Sequence, residues 1–436
     1  MSLTLLTICL LTIPVFFIIG APIFAVVGAI GTLIFWYAGE SLALVAQNVF
    51  KLASAPSLIA LPLFIFAGYY LSESSFAERL LKFFESMVGW FKGGVCLAAI
   101  VATDIFTAFT GASAITIVAF GGLIVPLLIK KGHTSRFAEG LMTISGGSGA
   151  LFPPCFAVIL YGLISRTNIR WLYIAGFIPA LIFIVAQYAY CLYVNVKEDI
   201  PTNPFSMKTF LSSFYGMLWE IPLLCMVVFG VMFGFVTIDE AATTTVVGFL
   251  VIEGLIRREV KWSKVPKIMS ESMMMLGALF LIMGCAMALT DYMVIKEVPQ
   301  TVLNTMEGII TSKLAFLMFL NVFLIIVGMC MDMFSAILVI VPLIMPIAKV
   351  YGVDPFHLGV VFFLNLEIGY VTPPFGISLF ISSLRFNVPV IRIFKGVLPF
   401  FVMEAIALLI ITYYDTLSLW LLKVLDLKQA LDIHMI

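Results

Sequence analysis

Two stretches of the sequence set helix-breaking residues beside polar ones: residues 145–156 read SGGSGALFPPCF, and residues 365–376 read NLEIGYVTPPFG. Proline removes a backbone donor and glycine permits sharp turns and close approach, so each stretch should interrupt a helix and free backbone groups. At membrane depth, such groups are tolerated only when buried in protein or lining a wet cavity. The half-helix from Ser135 is therefore expected to end near Ser145, with another beginning near Pro153. Freed carbonyls with the hydroxyls of Ser145 and Ser148 suit a cation such as sodium, and the following helix N-terminus suits an anion. Asn365 and Thr372 offer the same chemistry in the second stretch. The plainer alternative at each is a proline kink that only shapes packing.

Two further points could face those breaks. In TDIFTAFTGASAITIVAF, apolar arms meet at Thr110, Gly111, Ala112 and Ser113, a small polar tip suited to turning near the midplane. In IIVGMCMDMFSAILVIVP the corresponding tip is Met331, Asp332 and Met333, with Ser335. A carboxylate between two apolar arms is costly in lipid and functional by default, with sodium a natural partner for Asp332. Its alternative is a helix N-cap facing water. Asp104 lies in the first arm, where it could pair with a hydroxyl or bind a proton, and Glu367 lies inside the second break. Glu139, Glu220, Glu253 and Glu404 sit near expected helix ends and read as structural or snorkelling acids.

The elements that must position these residues are membrane helices. Of the 436 residues 62% are hydrophobic and 11% charged, far below the roughly 25% charged residues of a soluble domain. The opening run LTLLTICLLTIPVFFIIG lacks a basic leader and reads as a retained span. Expected elements are helices within 3–72, a double segment 94–130, a broken helix 136–165 and a helix 171–194. After a polar linker over 196–216 the same order returns: helices within 217–290, a double segment 313–348, a broken helix 356–384 and a helix 397–422. The domains are thus two repeats, 1–195 and 217–436.

Sliding the chain on itself by 220 positions lays 126–179 over 346–399, with seven identities, all Gly or Pro. They are Pro126/Pro346, Gly132/Gly352, Gly149/Gly369, Pro153/Pro373, Pro154/Pro374, Gly176/Gly396 and Pro179/Pro399. Backbone-setting residues outlast side chains in a duplication. Whether each double segment is two spans or one re-entrant hairpin, an odd number of crossings separates the repeats, so they are inverted. On the hairpin reading, one face collects sixteen of the 24 Lys and Arg, which makes it cytoplasmic and both termini external.

Several chemistries are disfavoured. The seven cysteines and three histidines show no zinc, haem or disulfide spacing. No His or Lys lies near Ser113, Ser148 or Ser335 in sequence, and neither HExxH nor a Walker glycine loop is present, so no enzyme activity is expected. Neither a basic patch nor a charge block points to nucleic acid. An ion gradient or a partner must supply the energy. The 40 Phe and 22 Met read as packing and lipid-facing surface.

The stretches LPLFIFAGYYLSES, FTGASAITIVAFGGLIVPLLIKKG, LFPPCFAVILYG, TIDEAATTTVV, GMCMDMFSAILVIVPLIMPIAKVYGVDPFHLGVVFFLNLEIGYVTPPFG and DTLSLWL resemble the large membrane subunit of TRAP (tripartite ATP-independent periplasmic) transporters. The resemblance runs from the first helix to near residue 422. It implies an all-α polytopic membrane protein of two inverted repeats, each with a re-entrant helical hairpin and a broken helix. Hairpins and breaks would form an elevator-type transport domain against a scaffold of the remaining helices.

The resemblance further implies sodium-coupled uptake of an organic acid anion across the bacterial inner membrane, with sodium as coupling ion and no cofactor. A small four-helix membrane subunit and a periplasmic substrate-binding protein would be separate partners. One sodium site would use Ser113, Ser145, Gly146 and Gly149, and the other Asp332, Gly369 and Thr372. Substrate would lie between the tips, near Thr110, Gly111, Ser148, Ser335 and Asn365. Family members often carry an acid just after the first tip and a serine after the double proline, where this chain reads SAIT and PPC. The alternatives are a stand-alone carboxylate or inorganic-anion transporter of the same superfamily, and a channel, whose filter also uses irregular backbone.

Overall fold

The computed structural model describes residues 60–277 except 112 and 203, residues 280, 310 and 312–425, and Trp36, Ala43 and Gln47. The expected span 3–20, most of 23–46 and of 268–290, and Ala112 of the first tip lie outside the described residues. Among the described residues the chain is all helix, without a strand. In order, the first series is α1 (Ala60–Ser72), α2 (Phe76–Val88), α3 (Gly94–Thr110), α4 (Ser113–Lys130), α5 (Ser135–Ile144), α6 (Phe156–Ser165) and α7 (Ile169–Lys197). Then come α8 (Met207–Gly216), α9 (Glu220–Phe233), α10 (Ile238–Phe249), α11 (Lys313–Cys330), α12 (Met333–Val350), α13 (Pro355–Tyr370), α14 (Ile377–Phe386), α15 (Val390–Tyr413) and α16 (Thr416–Val424).

Among the described helices, α4, α7, α11, α12 and α15 are each long and apolar enough to cross a bilayer. Their polar residues do not form a stripe, as expected where both protein and lipid are apolar neighbours. Helix starts obey local rules. Thr134 accepts from Phe137 N at the head of α5, and Asp354, 220 positions later, accepts from Phe356 N at the head of α13. Pro355 follows that cap at the first helical position, where its missing donor costs nothing.

The 220-residue correspondence is visible in how the matched residues are used. Pro126 and Pro346 lie inside α4 and α12, and Pro179 and Pro399 inside α7 and α15. Gly132 and Gly352 both hold positive φ, at 106° and 69°, which L side chains rarely adopt. The peptide bonds Pro153–Pro154 and Pro373–Pro374 are both cis. Packing exchanges between the two series: α4 packs on α14, and α12 packs on α6. α7 and α15 pack on each other.

Two regions differ from the sequence expectation. Residues 73–93, left between the expected helices within 3–72 and the double segment 94–130, contain α2, whose Phe76, Ala77, Leu80 and Leu81 are buried while Glu78 and Lys82 face outward. At 13 residues it is too short to span, and a reading tuned to ~20-residue apolar runs passes over its 3.6-residue period. The linker 196–216 carries α8, none of whose residues is buried.

α2 is tied to the second series by ions. Arg79 donates to Glu220, Glu253 and Glu259 at 3.1, 2.6 and 2.5 Å, and the Glu220 and Glu253 side chains are fully buried. Arg257 joins Glu220 at 2.8 Å and also donates to the Gly216 carbonyl. Removing one partner from a buried network leaves uncompensated charge, so Arg79→Met should cost about 3 kcal/mol. Thermal unfolding of the purified chain in detergent checks this; an unchanged midpoint would show that Arg257 alone satisfies the acids.

Candidate functional site

The first break is a compact, buried turn. α5 ends at Ile144, a tight helical turn covers Ser148–Leu151, and α6 starts at Phe156, three residues beyond the expected Pro153. The Ser135–Leu151 and Phe156–Ser165 segments are bent by 47°. Every residue from Ser145 to Leu151 is buried, so the freed backbone sits inside protein, as membrane depth requires. Asp104 of α3 holds the turn: one carboxylate oxygen accepts from Ser148 Oγ at 2.8 Å and the other from Gly149 N at 2.9 Å. A Cβ on Gly149 would lie 2.3 Å from the Asp104 carbonyl oxygen, so only glycine lets the turn approach α3.

Around this turn gather hydroxyls. Gly146, at φ +97°, lies beside Thr107 and Thr116, which share a hydrogen bond of 2.7 Å. Ser145 Oγ is buried without a hydrogen-bond partner. Unpaired buried oxygens are uncommon and call for a ligand, ion or water. At the matched position in α13, Asn365 Oδ1 is likewise buried and unpartnered. Two symmetric oxygen acceptors are thus left over, the donor type a hard cation takes.

The second break differs in form. α13 stays helical through Tyr370, past Asn365, Glu367 and Gly369, so the irregular part is only 371–376. One donor-free pair, Pro373 and Pro374, is bridged by the turn bond from Gly376 N to the Thr372 carbonyl. Asn365 Nδ2 donates to Asn321 of α11 at 2.8 Å, and Gly369 packs against Gly328 of the same helix. Thr372 Oγ1 donates to the Ile368 carbonyl at 2.7 Å.

Both tips meet in one cavity of about 80 Å³. Gly111 and Ser113 of the first tip face Asp332, Met333 and Phe334 of the second, with Ala150 of the first break completing that wall. Thr107, Glu367 and Tyr370 line the rest, and neither Lys nor Arg does. Phe334 stacks on Phe156 with ring centres 4.4 Å apart, and Phe156 in turn fills the space that a Cβ on Gly111 would need. The aromatic pair thereby locks both tips to the first break.

Asp332 is the N-cap of α12: it accepts from Phe334 N and Ser335 N at 3.1 Å and from Ser335 Oγ at 2.6 Å. The capping alternative is what the side chain does in this state, while its half-buried carboxylate also lines the cavity.

Of the residues singled out from sequence, Gly111, Ser113 and Asp332 share the cavity, and Ser145, Gly146, Ser148 and Gly149 cluster at the first break. Thr110 returns its hydroxyl to the Phe106 carbonyl and does not line the cavity. Asn365, Gly369 and Thr372 lie toward α11 or their own helix, and among the described residues no hydrogen bond or shared cavity joins them to Asp332. Sequence reasoning missed Thr103, Thr107 and Thr116, whose hydroxyls lie at four-residue spacing within α3 and opposite in α4. Glu367 was noted but its partner was not: Gly147, its own position shifted by 220, leaves room for its carboxyl, which lies 2.3 Å from where a Cβ on Gly147 would sit.

Known proteins similar to this chain are transporters. A family model described as tripartite ATP-independent periplasmic transporter, DctM component, matches residues 10–417. The chain is 30% identical over 394 residues to the C4-dicarboxylate TRAP transporter large permease protein DctM of Pseudomonas aeruginosa, covering 90% of this chain and 92% of that one. It is 30% identical over 411 residues to the isethionate TRAP transporter permease protein DctMQ of Oleidesulfovibrio alaskensis, covering 93% of this chain and spanning 64% of that relative's length. Its fold is similar to the solved Alcanivorax borkumensis YdaH transporter, with a TM-score of 0.60 at 12% identity over 86% of this chain and 87% of that one. These relatives are named as transporters, and the apolar helices place this chain in a membrane. By its match over residues 10–417, the chain belongs to the DctM component family of tripartite ATP-independent periplasmic transporters.

Proposed function

We propose that this chain is the large transmembrane subunit of a binding-protein-dependent transporter that couples sodium entry to uptake of an organic acid anion across the bacterial inner membrane. The observation that carries the reading is the cavity shared by both tips and the first break, in a chain whose two broken helices also leave buried oxygens unpartnered at the matched positions Ser145 and Asn365. With the Asp332 carboxylate on its wall and no basic side chain, the cavity disfavours an anion until cations enter. Co-bound sodium at the first break (Ser113, Ser145, Gly146, Gly149) and near the second (Asp332, Gly369, Thr372) removes that repulsion, so ion and substrate bind together. Substrate held between the tips, on the set Thr110, Gly111, Ser148, Ser335 and Asn365, of which Gly111 lines the cavity in this state, then allows the hairpins and breaks to move as one elevator body.

The two relatives are named for a C4-dicarboxylate and for isethionate, both organic acids, which supports the substrate class. A tripartite system calls for a small membrane subunit and a periplasmic binding protein. The excess of Lys and Arg on one face supports external termini. The decisive experiment is uptake of radiolabelled organic acids into vesicles holding the large and small subunits. Uptake is expected only with an inward sodium gradient and the cognate binding protein outside. Uptake that needs no binding protein favours a stand-alone carrier; flux that is unsaturable and independent of both overturns transport in favour of a channel.

A further inference from the structure

A second cavity, of about 360 Å³, lies behind the first break. Phe84 of α2, Ala108 of α3, Phe152 at the break, Phe177 of α7, and Leu224 and Val228 of α9 line it. Asp104 is the one lining residue with a carboxylate, and both oxygens of that carboxylate are already engaged by Ser148 and Gly149. The rim carries Leu181 and Phe229, 41% and 50% exposed, on faces of α7 and α9 that continue apolar as Val185, Met226 and Phe233. The crevice therefore opens toward hydrocarbon rather than water.

We propose that this crevice holds an acyl chain of a bilayer phospholipid. Water is a poor occupant, because a buried water needs two to four polar partners and the walls offer none. An empty void of this size would forfeit dispersion contacts along its whole lining. An acyl chain needs no polar partner, and the apolar rim on α7 and α9 runs on into the lipid-facing surface, so the surrounding bilayer supplies it. Seated there, the chain keeps α9 apart from the Phe152–Pro153 turn and gives the two a fluid, apolar contact. The inference concerns lipid occupancy alone and stands apart from the ion-coupling reading.

The full chain, reconstituted in vesicles of phosphatidylethanolamine and phosphatidylglycerol, would be loaded with phosphatidylcholine bearing a diazirine midway along an acyl chain. Extraction into detergent removes bulk lipid, and irradiation then fixes what stays bound. Peptide mapping should find adducts at Ala108, Leu224 and Val228 and few at the outward Met226 and Phe233. Val228→Trp, which fills the crevice, should lower the inward adducts roughly tenfold, a change in occupancy worth one decade of affinity, while the unfolding midpoint stays near wild type. If that variant fails to fold, Leu224→Phe takes its place. Adducts spread evenly over inward and outward positions, or unchanged in a folded crevice-filling variant, overturn the proposal.

Discussion

Gly149→Ala is expected to abolish uptake and to destabilise the chain by about 1–3 kcal/mol, the usual cost of overpacking a filled interior. Its new methyl would lie 2.3 Å from the Asp104 carbonyl oxygen and 2.9 Å from Thr107 Cβ. Backbone cannot be trimmed, so no side-chain truncation should rescue it. Gly147→Ala makes the informative contrast, because there the collision is with a side chain: the methyl would meet Glu367 Cγ and Oε1, both at 2.3 Å. Adding Glu367→Ala should therefore recover most of the lost stability, giving a coupling between the two positions of about 1 kcal/mol or more. Thermal unfolding of the four proteins in the cycle measures it. Additive losses would show that the two broken helices do not meet at this point. Uptake by the rescued double variant reads a separate question, whether the Glu367 carboxyl is itself required.

Asp332 carries the second large effect, and its two roles can be separated. Asp332→Ala removes both cap and charge; loss of the cap should cost about 1 kcal/mol, and sodium-driven uptake should fall to background. Asp332→Asn keeps an N-cap acceptor for Phe334 N and Ser335 N, so stability should stay close to wild type while sodium dependence is lost. Measured together, unfolding midpoints and sodium-titrated uptake distinguish a ligand from a cap. Retained sodium dependence in Asp332→Asn would leave Asp332 as the head of α12 and nothing more.

Much of this architecture is legible in the sequence because membrane helices are constrained one at a time. Length and hydropathy mark α4, α7, α11, α12 and α15, since each must satisfy its own backbone in lipid. The Gly and Pro pattern gives the repeat and the breaks, because those residues dictate backbone geometry regardless of neighbours. What a span-sized window cannot register are short elements held by distant chain: α2 by its 3.6-residue period and the ion pairs of Arg79, and α8 by the rings of Phe210 and Phe214 beside Phe83 of α2.

The site divides along the same line. Sequence alone determined that residues 145–154 and the tips at 110–113 and 331–335 depart from plain apolar helix and carry oxygen-rich side chains, because local chemistry makes any other reading costly. Only the tertiary structure decided who faces whom. It joined the tips in one cavity, kept α13 helical through Tyr370, and turned Asn365 toward Asn321. It also put Glu367 against Gly147, 220 positions away. Contacts between repeats depend on how two halves dock, and docking relies on the absence of a methyl group at Gly147, against Glu367, and at Gly140, against Gly396, as much as on any residue that is present.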